Sequence, residues 1–289
     1  MAPTGRGRQR KLPATCYGRR VIVELHCHST CSDGSAGPDE VGRRAAALAP
    51  AVFALTDHDT CAGHAAAAAA LPGAVRATEL TCHDGGRSVH VLVYDVAGDD
   101  RWADLERLLA GQVAARRERL RTIAARLFRL GIVLDVEPLL AAAHGRAVGR
   151  PDIAAALVAQ GVAASRDDAF ARWLHDGGPA DVPLARLSMA DGLAAVRAVG
   201  ARASLAHPHQ HGDRAAALLR RHARDGLDGV EAFYGRYDPG ERGRWLAVAD
   251  GLGLCATGGS DWHGEPEGAL GVELPDDRGQ ALLAWLGRA

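Results

Sequence analysis

Apolar positions along this chain fall into two alternating patterns. Short runs rich in β-branched residues at 21–25, 52–56, 75–80, 89–93, 203–206, 229–233 and 254–257 predict seven strands. Many are followed by Ala-, Leu- and Arg-rich stretches of helical character, the alternation expected of parallel βα units. The strand pattern lapses between about 101 and 186. There Leu105, Leu108, Leu109, Val113, Leu120, Ile123 and Leu127 recur near helical spacing over 102–130, and 153–159 and 168–174 continue the pattern. The expected fold is therefore α/β: a βα barrel from 20–100 and 187–289, interrupted by a helical subdomain at 101–186. Gly177, Gly178 and Pro179 mark its exit. Asp39 beside Pro38, and Asp59 with Thr60, are the expected N-cap regions of helices at 41–48 and from about His64.

Composition narrows the function classes. Of 289 residues 47% are apolar and 24% charged, with 34 basic against 35 acidic side chains and a formal net charge of -1. Near-neutral charge argues against a protein that coats duplex DNA, while leaving room for a local basic pocket. No run is long and apolar enough to span a bilayer, so no membrane association is expected. Lys11 is the sole lysine and joins Arg6, Arg8 and Arg10 in a basic start that lacks the apolar core of a secretory signal; residues 1–19 read as a disordered tail. Six scattered cysteines in a chain of this size, with no export signal, predict reduced thiols and a cytoplasmic location.

The chemistry lies in where histidines and carboxylates fall. His26 and His28 stand two apart at the end of the first strand run, where alternation lets both face one ion. Asp33 follows in an Asp-Gly pair that by itself reads as a turn. Further runs end at or adjoin His58, Glu79, His90, His207, Asp261 and His263. Each alone has a bland reading as a cap, turn or solvated end. Together they put six histidines and three acids at strand termini, which in a parallel barrel form the face where active sites are built. The remaining histidines, His64, His83, His144, His175, His209, His211 and His222, read as surface or loop residues, although His209 and His211 follow His207 closely enough to reach a leaving group. Arg116, Arg117 and Arg119 read as a solvated helix face, and Arg236 as a pocket candidate. No GxxxxGK[ST] motif occurs, which removes P-loop chemistry.

The segments Glu24-Leu25-His26-Cys27-His28 through Ser32-Asp33-Gly34, Leu55-Thr56-Asp57-His58-Asp59, Thr78-Glu79-Leu80, Val89-His90-Val91, Val148-Gly149-Arg150-Pro151, Ala206-His207-Pro208 and Gly259-Ser260-Asp261-Trp262-His263 resemble, in this order, the motifs of the PHP (polymerase and histidinol phosphatase) superfamily. Within it the chain is similar to the TrpH/YciV-type metal-dependent phosphoesterases. The resemblance implies a distorted (β/α)7 barrel with a helical insertion and a cluster of three divalent metal ions, manganese foremost, with zinc or iron as alternatives. It implies one ion on His26, His28, Glu79 and Asp261, a second on the shared Glu79 with His90 and His207, and a third on Asp33, His58 and His263. Arg150 is the implied contact to a second substrate phosphate, and Asp152 stands where the pattern commonly has His. The implied activity is hydrolysis of the 5'-phosphate of nucleotides, foremost nucleoside 3',5'-bisphosphates, by water activated between the ions. Alternatives are 5'-3' trimming of short RNA, a histidinol-phosphate phosphatase and a non-catalytic metal-binding module. An amidohydrolase with a carboxylated lysine bridge is disfavoured, because the barrel contains no lysine.

Overall fold

The computed structural model describes residues 20–143, 148–183, 186–265 and 268–288; the predicted tail and His144 lie outside this set. Eight strands, β1 (Arg20–Glu24), β2 (Val52–Leu55), β3 (Val75–Asp84), β4 (Arg87–Tyr94), β5 (Arg202–Leu205), β6 (Gly229–Tyr234), β7 (Cys255–Gly259) and β8 (Val272–Pro275), form one sheet in the order β7-β6-β5-β4-β3-β2-β1-β8. The sheet curls into a nearly closed barrel. Its seam lies where β1 meets β7: the Leu25 amide donates to the Gly258 carbonyl at 3.2 Å, and Cys27 bridges to Trp262 just beyond.

Among the described residues ten α-helices surround or extend the barrel: α1 (Pro38–Leu48), α2 (His64–Ala70), α3 (Trp102–Arg129), α4 (Glu137–Ala142), α5 (Arg150–Ala159), α6 (Arg166–Ala169), α7 (Met189–Ala198), α8 (Arg214–His222), α9 (Pro239–Leu252) and α10 (Asp276–Trp285). None among the described residues is long and apolar enough to cross a membrane. The expected caps differ in detail. Gly37 precedes α1 with Pro38 in its first turn, and Gly63 precedes α2, which leaves Asp59 outside any cap and turned into the protein.

The sheet is mixed where the sequence pattern suggested parallel units throughout. β3 runs on to Asp84 and returns as β4 through Gly85-Gly86, with Asp84 paired to Arg87. Both glycines have positive φ, 56° and 79°, the backbone that a two-residue hairpin of correct twist demands. β4 is therefore antiparallel to β3 and to β5. Its beginning lies beside the C-terminal end of β3, so His90, early in β4, still reaches the face where the parallel strands end. The eighth strand was not foreseen. It is four residues long, only Leu274 in it is buried, and it pairs antiparallel with β1 at the edge of the sheet.

Among the described residues three apolar clusters organise the packing, the smallest of them including Val41, Ala45, Phe53, Leu55 and Trp262 under α1. The largest fills the barrel and its helix layer, including Val23, Leu25, Val91, Val93, Val230 and the fully buried Trp245. The second gathers Leu120, Ile123, Leu127, Leu140, Ile153, Leu157 and Leu174. α3 serves both: Trp102, Leu105 and Leu109 near its start pack on the barrel, while Leu120, Ile123 and Leu127 near its end build the second core. One helix thus contributes to both cores and joins the segment that carries α4 to α6 to the barrel.

Candidate metal centre

Short strands of buried apolar residues end abruptly at one face, and the residues just past those ends turn inward. His26 and His28 follow β1, His58 follows β2, His207 follows β5, and Asp261 and His263 follow β7. Glu79 lies within β3 and is fully buried. One glycine makes the seam passable: a Cβ on Gly259 would stand 2.3 Å from that of His26, so only glycine lets β7 pass the ligand-bearing end of β1.

All nine residues singled out from the sequence meet in one place. Glu79 is the centre. Its Oε2 lies 3.3 Å from His26 Nε2, 3.2 Å from His28 Nε2 and 3.2 Å from His58 Nδ1, and its Oε1 lies 3.0 Å from both His90 Nδ1 and His207 Nε2. Asp261 Oδ1 is 3.2 Å from His26 Nε2 and 3.3 Å from His28 Nε2. Asp33 sits at the outer end, 3.3 Å from His263 Nε2 and 3.5 Å from His58 Nε2. The donor atoms converge in four groups: His26/His28/Glu79, His26/His207/Asp261, His58/Glu79/His90 and His28/Asp33/His58/His263. This grouping places His207 with Asp261 and gives His58 a share in two groups, which differs from the partition the resemblance implied.

The donor set fits divalent cations on physical grounds. His26 Nε2, His28 Nε2, His58 Nδ1, His90 Nδ1 and Glu79 Oε2 are buried without an aligned hydrogen-bond partner, although carboxylate oxygens stand close by. Buried polar atoms are rarely left so. Lone pairs aimed at shared points between the side chains, rather than along N–H···O lines, are what a cation would satisfy.

Electrostatics in the metal-free protein point the same way. Burial works against charge on His28, but the nearby carboxylates of Asp261 and Glu79 outweigh it and push its pKa up to about 10. Burial depresses His58 to about 3, helped by His28 and His90. Burial would raise Glu79, yet His58, His26 and His90 hold it well below the ordinary carboxylate range. Burial opposes ionisation of both Asp33 and Asp261, yet Asp33 is lowered by His263, His58 and His28, and Asp261 by His26 and His28. Protons here stand in for cations.

Backbone strain is concentrated at the strand exits. Of the four described non-glycine residues with positive φ, three are Asp59 (53°), His207 (26°) and Asp261 (54°). Each is held by its own amide: Asp59 N–H to Glu79 O, His207 N–H to Glu231, and Asp261 N–H to His26 O at 2.7 Å. Conformations costing on the order of 1–3 kcal/mol each persist where surroundings over-determine them.

The supporting shell escaped the sequence reading. Asp57 accepts from the Ser29 amide, the Ser29 hydroxyl and the Ser32 hydroxyl at 2.6–2.7 Å, fixing the loop that carries Asp33. Glu24 accepts the amides of His26, Ser260 and Gly271 and the Ser260 hydroxyl, tying β1 to the loop bearing Asp261. Tyr234 donates to Asp261 Oδ2, and the fully buried Glu231 bonds to His26 Nδ1. Glu231 did carry a signal, as a lone acid inside the apolar run 229–233.

A cavity of about 740 Å³ opens beside the cluster. Asp33, His58 and His90 line one wall; Arg116, Gly149, Pro151, Asp152 and Arg166 line the other. Arg116 corrects the expectation of a solvated face. Its Nη2 is 2.8 Å from the fully buried carboxylate of Asp59, and its Nε is buried without a partner. Arg119 is likewise held, by the Val182 carbonyl. Arg150 does not line this cavity: its Nη1 donates to the Leu174 carbonyl at 2.8 Å and to Asp176 at 2.7 Å. His222, read as a surface residue, is buried and bonded to Asp225. His209 donates through its backbone to Tyr237 and pairs with it through Nδ1 at 2.9 Å; neither His209 nor His211 lines the cavity. Arg236 lies over the Tyr234 ring. Cys27 packs outward among Val41, Phe53 and Trp262, and the five described cysteines are free thiols.

No protein-family profile matches the chain. Individual proteins do. It is 33% identical over 266 residues to the 3',5'-nucleoside bisphosphate phosphatase of Chromobacterium violaceum, covering 88% of this chain and 92% of that protein. It is 32% identical over 257 residues to the 5'-3' exoribonuclease Rnm of Salmonella typhimurium, covering 84% and 85%. A solved structure from Bifidobacterium adolescentis, provisionally named a metal-dependent phosphoesterase, superposes with a TM-score of 0.71 at 31% identity, covering 91% of this chain and 95% of that one. Barrel, converging donors and similarity over most of the chain agree, and the chain belongs to the PHP superfamily of metal-dependent phosphoesterases.

Proposed function

We propose that this protein removes the 5'-phosphate from nucleoside 3',5'-bisphosphates, with three divalent ions, manganese foremost, held by His26, His28, Asp33, His58, Glu79, His90, His207, Asp261 and His263. The observation that carries the reading is the shared cavity, which has metal-type donors on one wall and guanidinium groups on the other. When bound, divalent ions supply positive charge that acidifies water near neutral pH and offsets charge on phosphoryl oxygens. The chain's own residues do the rest. Glu79 and Asp261 balance the histidines, and Glu24 and Asp57 keep the donor-bearing loops from drifting. Residues 101–186 form the substrate-side wall, where a second phosphate distinguishes a bisphosphate from AMP. On that wall Arg116 is the better placed grip, with Asp59 fixing its fork and Arg166 beside it; Arg150 instead tethers the start of α5 to the segment around Leu174.

A second reading, 5'-3' trimming of short RNA, applies the same hydrolysis to a diester and is supported by the likeness to the Salmonella exoribonuclease. Phosphate release by manganese-loaded protein from adenosine 3',5'-bisphosphate, AMP, histidinol phosphate and a 5'-phosphorylated RNA oligomer separates the possibilities. Preference for the bisphosphate over AMP is expected. Turnover of the oligomer alone moves the assignment to an exoribonuclease, turnover of histidinol phosphate alone to that phosphatase, and no turnover with metal bound to a non-catalytic module.

A further inference from the structure

Glu231 belongs to none of the nine predicted ligands, yet it touches two of them. Its side chain, on β6, is fully buried. Oε1 lies 2.9 Å from His26 Nδ1, and Oε2 accepts the backbone N–H of His207 at 2.7 Å. His26 presents its other nitrogen, Nε2, to Glu79 and Asp261, and His207 presents Nε2 to Glu79. His207 also holds a φ of 26° that its own side chain disfavours.

We propose that Glu231 is a positioning residue for the metal cluster, acting through His26 and His207 rather than on substrate. It rests on the metal-centre reading above. An ionised carboxylate can only accept hydrogen bonds. Facing His26 Nδ1, it keeps the ring proton on that nitrogen and leaves the Nε2 lone pair directed into the cluster; its second oxygen simultaneously pins the His207 backbone.

The geometry makes an isosteric variant informative. Glutamine at 231 keeps the volume but has one acceptor and one donor end. If its oxygen accepts from the His207 amide, its NH₂ faces His26 Nδ1 and forces the proton to Nε2, where it blocks ligation. If it is flipped, two N–H groups meet at His207. No amide orientation serves both neighbours.

The test compares wild type, Glu231→Gln and Glu231→Ala by manganese and zinc affinity under chelator competition, alongside the Tm of each metal-free protein. Glu231→Gln is expected to lose metal affinity about 10–100-fold, the range for outer-shell partners, with a metal-free Tm near wild type. Glu231→Ala is expected to lose both affinity and Tm. Wild-type affinity in a folded Gln variant overturns the proposal, because a space-filling role would survive that change. Histidine ¹⁵N spectra of the zinc-loaded wild type give a test that needs no variant: Nδ1 of His26 should carry the proton, and a proton on Nε2 overturns the inference. A wild type that binds no metal would instead sink the metal-centre reading itself.

Discussion

The two walls of the cavity are built on different principles. The barrel wall takes its functional groups from strand exits, where backbone direction fixes each side chain and buried acceptors such as Asp57, Glu24 and Glu231 hold the loops. The helical segment opposite carries long arginines on α3 and α5, whose heads are set by whichever partner lies within reach: Asp59 for Arg116, Asp181 and a carbonyl for Arg119, Asp176 and a carbonyl for Arg150, which is turned away from the cavity. On the proposed reading, chemistry is carried by short side chains at strand exits and recognition by long ones on the adjoining helices. The first wall should tolerate almost no change. The second should change preference while leaving the reaction intact.

The sharpest way to break that contrast is at Glu79, whose two oxygens face five imidazoles. Glu79→Gln removes the charge that balances them and leaves an amide NH₂ pointing at ring nitrogens. Phosphate release should fall by at least about 10³-fold, the upper scale for losing a single preorganised electrostatic group, with bound manganese reduced as read by elemental analysis. Near-normal metal content and turnover would show that Glu79 is not the centre of the site.

The helical wall is sharpened by Arg116→Ala. A charge-assisted hydrogen bond contributes about 1.5–3 kcal/mol, so the KM for a bisphosphate should rise about 10–100-fold while AMP turnover changes little. Equal losses on both substrates would place Arg116 on the reacting phosphate instead of the distal one.

What was legible in the sequence follows the same division. His26, His28, His58, Glu79, His90 and His207 could be read because each lies inside a predicted strand run or within three residues of its end, where strand geometry turns proximity into convergence, whereas Asp33, Asp261 and His263 lie four to eight residues past theirs and needed the motif resemblance as well. Arg116 could not be read in this way: on α3 its spacing is that of any amphipathic surface, and only the tertiary approach of α3 to the exit of β2 brings it to Asp59. Glu231 was hidden because a buried acid inside an apolar strand looks like an interruption until its partners are known. The β3–β4 reversal was written in Gly85-Gly86 between two apolar runs, but alternation with helices elsewhere favoured reading each run as a separate parallel unit. β8 offered too little, four residues with one buried side chain.

Proton linkage gives a smaller effect that still separates the walls. In the metal-free protein the pKa of His28 is raised to about 10, so its stabilising contribution is complete below the unfolded value near 6.5 and declines as pH rises toward 10. His58, held near 3, is already neutral over this range and releases no proton. Metal must displace the His28 proton, so the rise in Tm on adding manganese should grow from pH 6 to pH 9. A flat or falling increment would mean that His28 is not a ligand. Arg116→Ala, on the other wall, should leave this profile unchanged.

The smallest effect is expected at Arg150, and it tests which arginine faces substrate. Its guanidinium bonds to the Leu174 carbonyl and to Asp176, a solvated acid whose pairing contributes little. Removing it by Arg150→Gln chiefly costs the hydrogen bond that ties the start of α5 to the segment before Gly177. The expected result is a Tm lower by about 2–4 °C and an unchanged ratio of bisphosphate to AMP turnover. If the selectivity collapses in Arg150→Gln and survives in Arg116→Ala, then Arg150 exchanges Asp176 for the distal phosphate when substrate enters. The helical wall would in that case reorganise on binding, whereas the strand-built wall opposite it is already set.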